Sequence, residues 1–312
     1  MPAISVLIKP SSGMCNMHCD YCFYCDEAQK RLQKSYGFMS EETLKNVIRK
    51  TILRAEGAVA YAFQGGEPTL RGIDFFKKAI AYETQYNRYH IQVRNALQTN
   101  GYLLDDEWCR FLKENHFLVG LSLDGTKETN DMYRHASGCE SVFDRIFQAA
   151  KLLEKHGVDF NILTVVTNNT AAHIKEIYEF YRKQNWDYQQ YIACLDPLDE
   201  EHGKNSYALS PEQYKDFLIT LFHLWYEDWK KGCQPYIRQF EIILASSWAT
   251  ARKPVISAVY AISRTQWKQT AAFIPVISMY WMNTGWEILI RTSWIALTGA
   301  VRKSDLLNVL KN

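Results

Sequence analysis

Nothing in this sequence is apolar for the length that a membrane span needs. The longest such stretch, Ala271–Met282, is broken by Ser278 and falls short of the ~20 residues a spanning helix requires. A charge excess is lacking too: 36 Lys and Arg stand against 34 Asp and Glu, net +2, which gives no drive toward nucleic acid or a membrane surface. The amino end carries no basic-then-apolar leader, so the expected location is the cytoplasm. A disulfide framework is missing as well. Eight cysteines in 312 residues, three of them clustered, suit metal binding in a reducing compartment better than paired bridges. At 47% apolar residues the chain has ample material for one large domain, or one domain with an appendage.

The clustered cysteines lie in Cys15-Asn16-Met17-His18-Cys19-Asp20-Tyr21-Cys22, a C-x3-C-x2-C spacing directly after the apolar run Ile4–Ile8. Three thiolates in one loop can hold one metal centre. A [4Fe–4S] cluster on three cysteines leaves one iron open to a small-molecule ligand, whereas structural zinc closes its shell with a fourth residue. Cys25 or His18 could serve as that fourth ligand, so a zinc-stabilised binding module is the alternative. Zinc ligands usually come as separated pairs, and a trio straight after a strand favours the cluster.

Short apolar runs alternate with longer helical patterns. The runs predict strands over Ile4–Ile8, Val59–Phe63, Ile91–Gln98, Phe117–Leu123, Phe160–Val166 and Tyr188–Ile192. A helix is expected to begin at Ser40, with Glu41 and Glu42 in its first turn. Others are expected over Asp74–Tyr86, Asp105–Asn115, Val142–His156, Ala171–Gln184 and Pro211–Lys231. Six such units imply an α/β fold with parallel strands and right-handed crossovers: an open, partial (β/α)6 barrel. Ligands in such sheets sit at the carboxyl ends of the strands. There the sequence has Gln64-Gly65-Gly66-Glu67-Pro68, Gln98-Thr99-Asn100-Gly101, Asp124-Gly125, Thr167-Asn168-Asn169 and Cys194-Leu195-Asp196-Pro197.

Gly65 and Gly66 let backbone approach a ligand and offer carbonyls to an amine, although the pair alone could be an ordinary turn. Gln98 and Asn100 either face the cavity as hydrogen-bonding groups or cap the next helix. Ser122 ends a strand. Arg134, in the following loop, is either a solvated charge or a bidentate partner for a carboxylate. Tyr21 and Tyr24 flank Cys22 and either cover the metal centre or pack in the core. Cys109 and Cys139 have no partners in spacing and read as inert.

The cysteine spacing, with an aromatic residue before the third cysteine, resembles the radical S-adenosylmethionine (radical SAM) enzymes. The resemblance implies that the open iron chelates the amine and carboxylate of the cofactor, and that an electron then cleaves its sulfonium to give a hydrogen-abstracting 5′-deoxyadenosyl radical. It sharpens to the anaerobic sulfatase-maturating enzymes through Leu7-Ile8-Lys9-Pro10, Cys22-Phe23-Tyr24, Phe63-Gln64-Gly65-Gly66-Glu67-Pro68, Leu97-Gln98-Thr99-Asn100-Gly101, Cys194-Leu195-Asp196-Pro197-Leu198 and Leu224-Trp225-Tyr226-Glu227-Asp228. That likeness implies oxidation of a sulfatase cysteine or serine to Cα-formylglycine. It implies cluster ligands Cys15, Cys19 and Cys22 and cofactor contacts Tyr21, Gly66, Ser122, Arg134 and Leu195. Substrate-facing groups would be Tyr24, Gln64 and Asn100, with Gln98 as a further candidate. The implied partners are a nascent or unfolded sulfatase polypeptide and a reduced flavodoxin or ferredoxin. Another radical SAM peptide modifier, for instance a thioether-forming one, is an alternative on the same core.

The likeness spans residues 1–240 and stops there. The family continues with a cysteine-rich domain holding two auxiliary [4Fe–4S] clusters and a catalytic aspartate in a C-D-F-Y-V-L-D string. Here residues 242–312 hold no cysteine, two acids (Glu287 and Asp305), eight Lys or Arg, and five of the nine Trp. A shifted reading frame accounts for this. Joining the last base of each codon to the first two of the next, Met279 to Asn283 forces V-L-D-E, and Ile274–Met279 permits P-C-D-F-Y before it. The expected organisation is therefore a radical SAM core, 1–240, and an aberrant tail, 241–312. The tail would lack a selected pattern for packing, both auxiliary clusters and the proton-accepting aspartate.

Overall fold

The structure, a computed structural model, describes residues 3–242 except 31, 34, 137, 139, 140, 198 and 199, together with the backbone of 265–267 and 273–274. Cys139 and the remainder of the tail lie outside the described residues. The strands are β1 (Ile4–Ile8), β2 (Met17–Cys19), β3 (Ala58–Phe63), β4 (Gln92–Thr99), β5 (Leu118–Ser122), β6 (Arg134–Ala136), β7 (Phe160–Val166), β8 (Tyr188–Ala193), β9 (Tyr236–Ile237), β10 (Thr265–Trp267) and β11 (Phe273–Ile274). The helices are α1 (Phe23–Lys30), α2 (Glu41–Ile52), α3 (Ile73–Tyr86), α4 (Asp106–Glu114), α5 (Lys127–Asp131), α6 (Phe143–Lys155), α7 (Asn168–Ala172), α8 (Ile174–Gln184) and α9 (Pro211–Lys230).

One sheet runs β11-β10-β1-β3-β4-β5-β7-β8-β9, and β2 and β6 form a second, two-stranded one. In the larger sheet every described pairing from β10 to β9 is parallel and β10–β11 is antiparallel. The six predicted strands are therefore present and adjacent in chain order, an open sheet with helical crossovers. Their alternation sets two faces. Val59, Tyr61 and Phe63 of β3 are at most 1% exposed and turn toward the helices, where the Tyr61 and Thr51 hydroxyls are 2.6 Å apart. Ala58, Ala60 and Ala62 then occupy the opposite face, where small side chains leave room.

Phe63, Phe76, Trp108, Phe111 and Phe117 form an aromatic core with centroid separations from 5.0 to 6.5 Å, each pair contributing ~0.5–1.5 kcal/mol beyond area burial. Ser40 begins α2 as expected, its hydroxyl accepting from Thr43 N at 3.1 Å.

One expectation needs correcting, and one ladder was not expected. The helix predicted over 171–184 is two helices. Thr167 closes a capping box on α7, and His173 leaves helical geometry at φ −108°, ψ 23° before α8 starts. The β2–β6 ladder was invisible to periodicity, since Met17-His18-Cys19 and Arg134-His135-Ala136 are three residues each, too short for a pattern to register. Backbone pairing across more than a hundred residues, Cys19 opposite Arg134, creates it. Among the described residues no helix is long and apolar enough to cross a membrane.

At the amino ends of the strands, Glu83 of α3 is 6% exposed and accepts from Asn95 Nδ2 at 2.9 Å. Its Oε1 and the Asn95 Oδ1 are both buried without a partner. Burial pushes the Glu83 carboxyl from its ordinary 4.5 up to about 7. Between those values the native state keeps a proton that the unfolded chain has lost, so stability falls as pH rises through the window. At about 1.4 kcal/mol per unit the loss approaches roughly 3 kcal/mol. Glu83→Gln is expected to flatten urea-unfolding stability between pH 5 and 7.5 and to raise it at neutral pH.

Candidate functional site

The site is assembled at the carboxyl end of the sheet by docking the cysteine loop on its neighbours. After β1, Gln64 N donates to Ile8 O at 2.9 Å, and Glu67 N donates to Met14 O at 2.8 Å, just before Cys15. Gly66 permits this second bond. It has φ +49°, and a Cβ there would lie 2.2 Å from Met14 O. Packing of one loop on another thus already demands a glycine here.

Glu67 is 1% exposed. Its Oε1 accepts from Thr69 N at 3.0 Å, Thr69 Oγ1 at 2.7 Å and Thr99 Oγ1 at 2.8 Å, and its Oε2 accepts from Asn100 N at 2.8 Å. Burial pushes the carboxyl up while these four donors push back. The side chain clamps the end of β4 onto the turn after β3.

Cys15 is exposed, and Cys19 and Cys22 are half-buried. Cys15 Sγ accepts from Met17 N at 3.4 Å and Asn100 Nδ2 at 3.6 Å, and its own thiol points to Asn16 Oδ1 at 3.9 Å. Burial pushes the Cys19 thiol up to about 12. A hydrogen bond from the Cys25 thiol, with helix-start N–H groups behind it, draws Cys22 down to about 6. Among the described residues no three His, Cys, Asp or Glu side chains are set around a single ion. The donor set, three soft sulfurs in one loop, suits an iron–sulfur cluster, which puts each thiolate on a different iron.

Arg134 is the first residue of β6 and is 5% exposed, not a solvated loop charge. Its Nη1 donates to Tyr21 Oη at 3.1 Å and lies 3.9 Å from Asp124 Oδ2. The Tyr21 hydroxyl donates to the same Asp124 oxygen, and Asp124 Oδ1 accepts from Val165 N at 2.8 Å. Arg134 Nε is buried with no partner, the kind of donor that a carboxylate ligand satisfies. Burial raises the Asp124 carboxyl, and the guanidinium opposes this.

The remaining predicted residues divide. Ser122 ends β5, half-buried. Leu195 is 52% exposed and lines a cleft of about 220 Å3 with Tyr21, Cys22, Asp196 and Tyr207. Gln64 Nε2 donates to Tyr24 Oη at 2.7 Å, beside Lys9, whose ammonium is 4.4 Å from the Tyr24 ring. Gln98 is half-buried on β4. Asn100 is turned toward Cys15. Cys109 is fully buried in α4, away from the loop. Sequence reasoning assigned no role to Asp124 or Glu67; the available signal was an acid just past an otherwise apolar strand, shortly after the strand end for Asp124 and in the glycine turn for Glu67.

The Radical SAM superfamily profile matches residues 10–181. The cysteine-type anaerobic sulfatase-maturating enzyme of Clostridium perfringens is 45% identical over 244 residues, 78% of this chain and 66% of that protein. The serine-type enzyme of Bacteroides thetaiotaomicron is 34% identical over 238 residues, 72% of this chain and 57% of that protein. The solved structure of native anSMEcpe with bound AdoMet and Cp18Cys peptide superimposes with a TM-score of 0.74 at 43% identity, covering 81% of this chain and 66% of that one. The chain spans about two thirds of the length of the C. perfringens relative.

Proposed function

The chain belongs to the radical SAM superfamily, on its anaerobic sulfatase-maturating branch, and from that premise we propose that its core binds one [4Fe–4S] cluster and S-adenosylmethionine to oxidise a sulfatase cysteine or serine to Cα-formylglycine. The observation that carries this reading is the convergence of the cysteine loop, the Gly66–Glu67 turn and buried Arg134 at one end of the parallel sheet. Once bound, cluster and cofactor supply an electron and a hydrogen-abstracting carbon radical.

Cys15, Cys19 and Cys22 would hold three irons and leave the fourth open. Arg134, held by Tyr21 and Asp124, would offer its spare N–H to the cofactor carboxylate. Ser122 and the Gly66 backbone are the remaining candidates for the amino-acid end, and Tyr21 and Leu195 for the adenosyl end. Gln64 and Tyr24 would meet the peptide, with Gln98 beside them. Identity of 45% to a cysteine-type relative, against 34% to a serine-type one, favours a cysteine substrate. A reduced flavodoxin or ferredoxin in the cytoplasm would be the electron donor. The off-frame reading of residues 241–312 implies that the chain as written lacks the auxiliary clusters and the proton-accepting aspartate, and stops at cofactor cleavage.

Anaerobic reconstitution with iron and sulfide, followed by S-adenosylmethionine, dithionite and a cysteine-bearing sulfatase peptide, tests both parts. The expected result is 5′-deoxyadenosine by chromatography with no formylglycine by mass spectrometry. Absence of 5′-deoxyadenosine from iron-loaded protein would overturn the enzyme reading. Formylglycine would instead overturn the reading of the tail.

A further inference from the structure

We infer that Asn100 is a positioning and tuning residue for the cluster: its side-chain amide donates to the Cys15 sulfur and raises the potential at which the cluster accepts its electron. This rests on the assignment of Cys15 as a cluster ligand. The orientation of the amide is over-determined. Its Oδ1 accepts from Tyr102 N at 2.9 Å, which fixes which end is nitrogen. One Nδ2 hydrogen goes to Asn16 Oδ1 at 2.9 Å, leaving the other for Cys15 Sγ at 3.6 Å. The backbone beneath is pinned by the buried Glu67 carboxylate through Asn100 N at 2.8 Å, and Asn100 itself is only 7% exposed. A donor held this firmly cannot swing away when the sulfur gains charge.

The electrostatics give the sign. Reduction adds one electron from an external low-potential donor to the cluster; no bond breaks and no proton need move. Negative charge on the cysteine sulfurs rises, so an N–H aimed at Cys15 is worth more in the reduced state than in the oxidised one. Hydrogen bonds to cluster sulfurs are among the determinants of potential. Met17 N, at 3.4 Å, supplies a backbone donor that no side-chain change removes. Asn100 supplies the adjustable one. The substrate-facing role expected for this residue would need its amide to turn away from the sulfur.

The test is an EPR-monitored redox titration of the full reconstituted chain, wild type against Asn100→Asp and Asn100→Leu, with iron content measured on each sample. Asn100→Leu removes the donor without adding charge, while Asn100→Asp keeps the acceptor for Tyr102 N and sets a negative charge beside the sulfur. At a fixed dithionite poise the reduced-to-oxidised ratio is expected to fall about tenfold, which is 59 mV for a one-electron couple. Unchanged potentials at full iron loading would overturn the inference, as would weakened peptide binding with no shift in potential. Wild-type protein labelled with [15Nδ]-asparagine supplies a measurement independent of variant folding. Hyperfine coupling of a side-chain nitrogen to the reduced cluster is the expected result, and its absence would overturn the inference. Wild type that takes up no iron would instead remove the underlying cluster assignment.

Discussion

Cys19→Ala is expected to abolish iron loading and reduce 5′-deoxyadenosine formation to background while leaving far-UV circular dichroism unchanged. Cys19 meets Arg134 through backbone pairing, and that ladder does not need the sulfur. Two thiolates cannot replace three on a cube, so the loss is all-or-none; Cys15→Ala and Cys22→Ala should behave alike. Two controls separate this from general cysteine damage. Cys109→Ala, in the core of α4, should leave iron content intact. Cys25→Ala is sharper. Its thiol bonds to Cys22, so a zinc site built on four residues would lose its metal with it, whereas a three-cysteine cluster keeps its iron. Iron and acid-labile sulfide assays with the visible absorption of the reconstituted chain read every arm.

Glu67→Ala should be the most damaging single change to stability near the site. The carboxylate receives two backbone N–H groups and two hydroxyls, all buried. Thr99 and Thr69 can rotate their hydroxyls toward other acceptors, but Thr69 N and Asn100 N cannot move without breaking the ends of two elements. An orphaned buried donor costs about 1–3 kcal/mol, so the expected loss is roughly 3–5 kcal/mol, or on the order of 10 °C in Tm for a domain of this size. Glu67→Gln keeps one acceptor oxygen and should fall between. Thermal unfolding followed by circular dichroism measures both, and a loss under about 1 kcal/mol for the alanine variant would contradict the clamp.

These variants also mark which parts of the molecule were legible beforehand. The six central strands were read from apolar runs within one or two residues of their ends, because each run must bury one face and chain order then dictates parallel neighbours. The cysteine trio was equally plain, since its meaning lies in short-range spacing. Gly66 was read as a residue that lets backbone approach a ligand, and the structure adds a second reason for it, since it makes way for Met14 O. Both readings demand glycine, so local sequence cannot separate them.

Sequence alone therefore determined the architecture, through the periodicity of its apolar runs, picked out the cysteine loop by its spacing, and pointed to the family through resemblance of short strings along the chain. Only the tertiary structure decided what surrounds the loop. Arg134 became a buried partner of Tyr21 and Asp124 because β6 pairs with β2. Asn100 turned to Cys15 because Glu67 and Tyr102 N hold its two ends. Apart from the local bond to Tyr102, these contacts join residues some thirty to more than a hundred positions apart. Their energy comes from satisfying buried polar groups in three dimensions, which no local pattern of apolar and polar residues records.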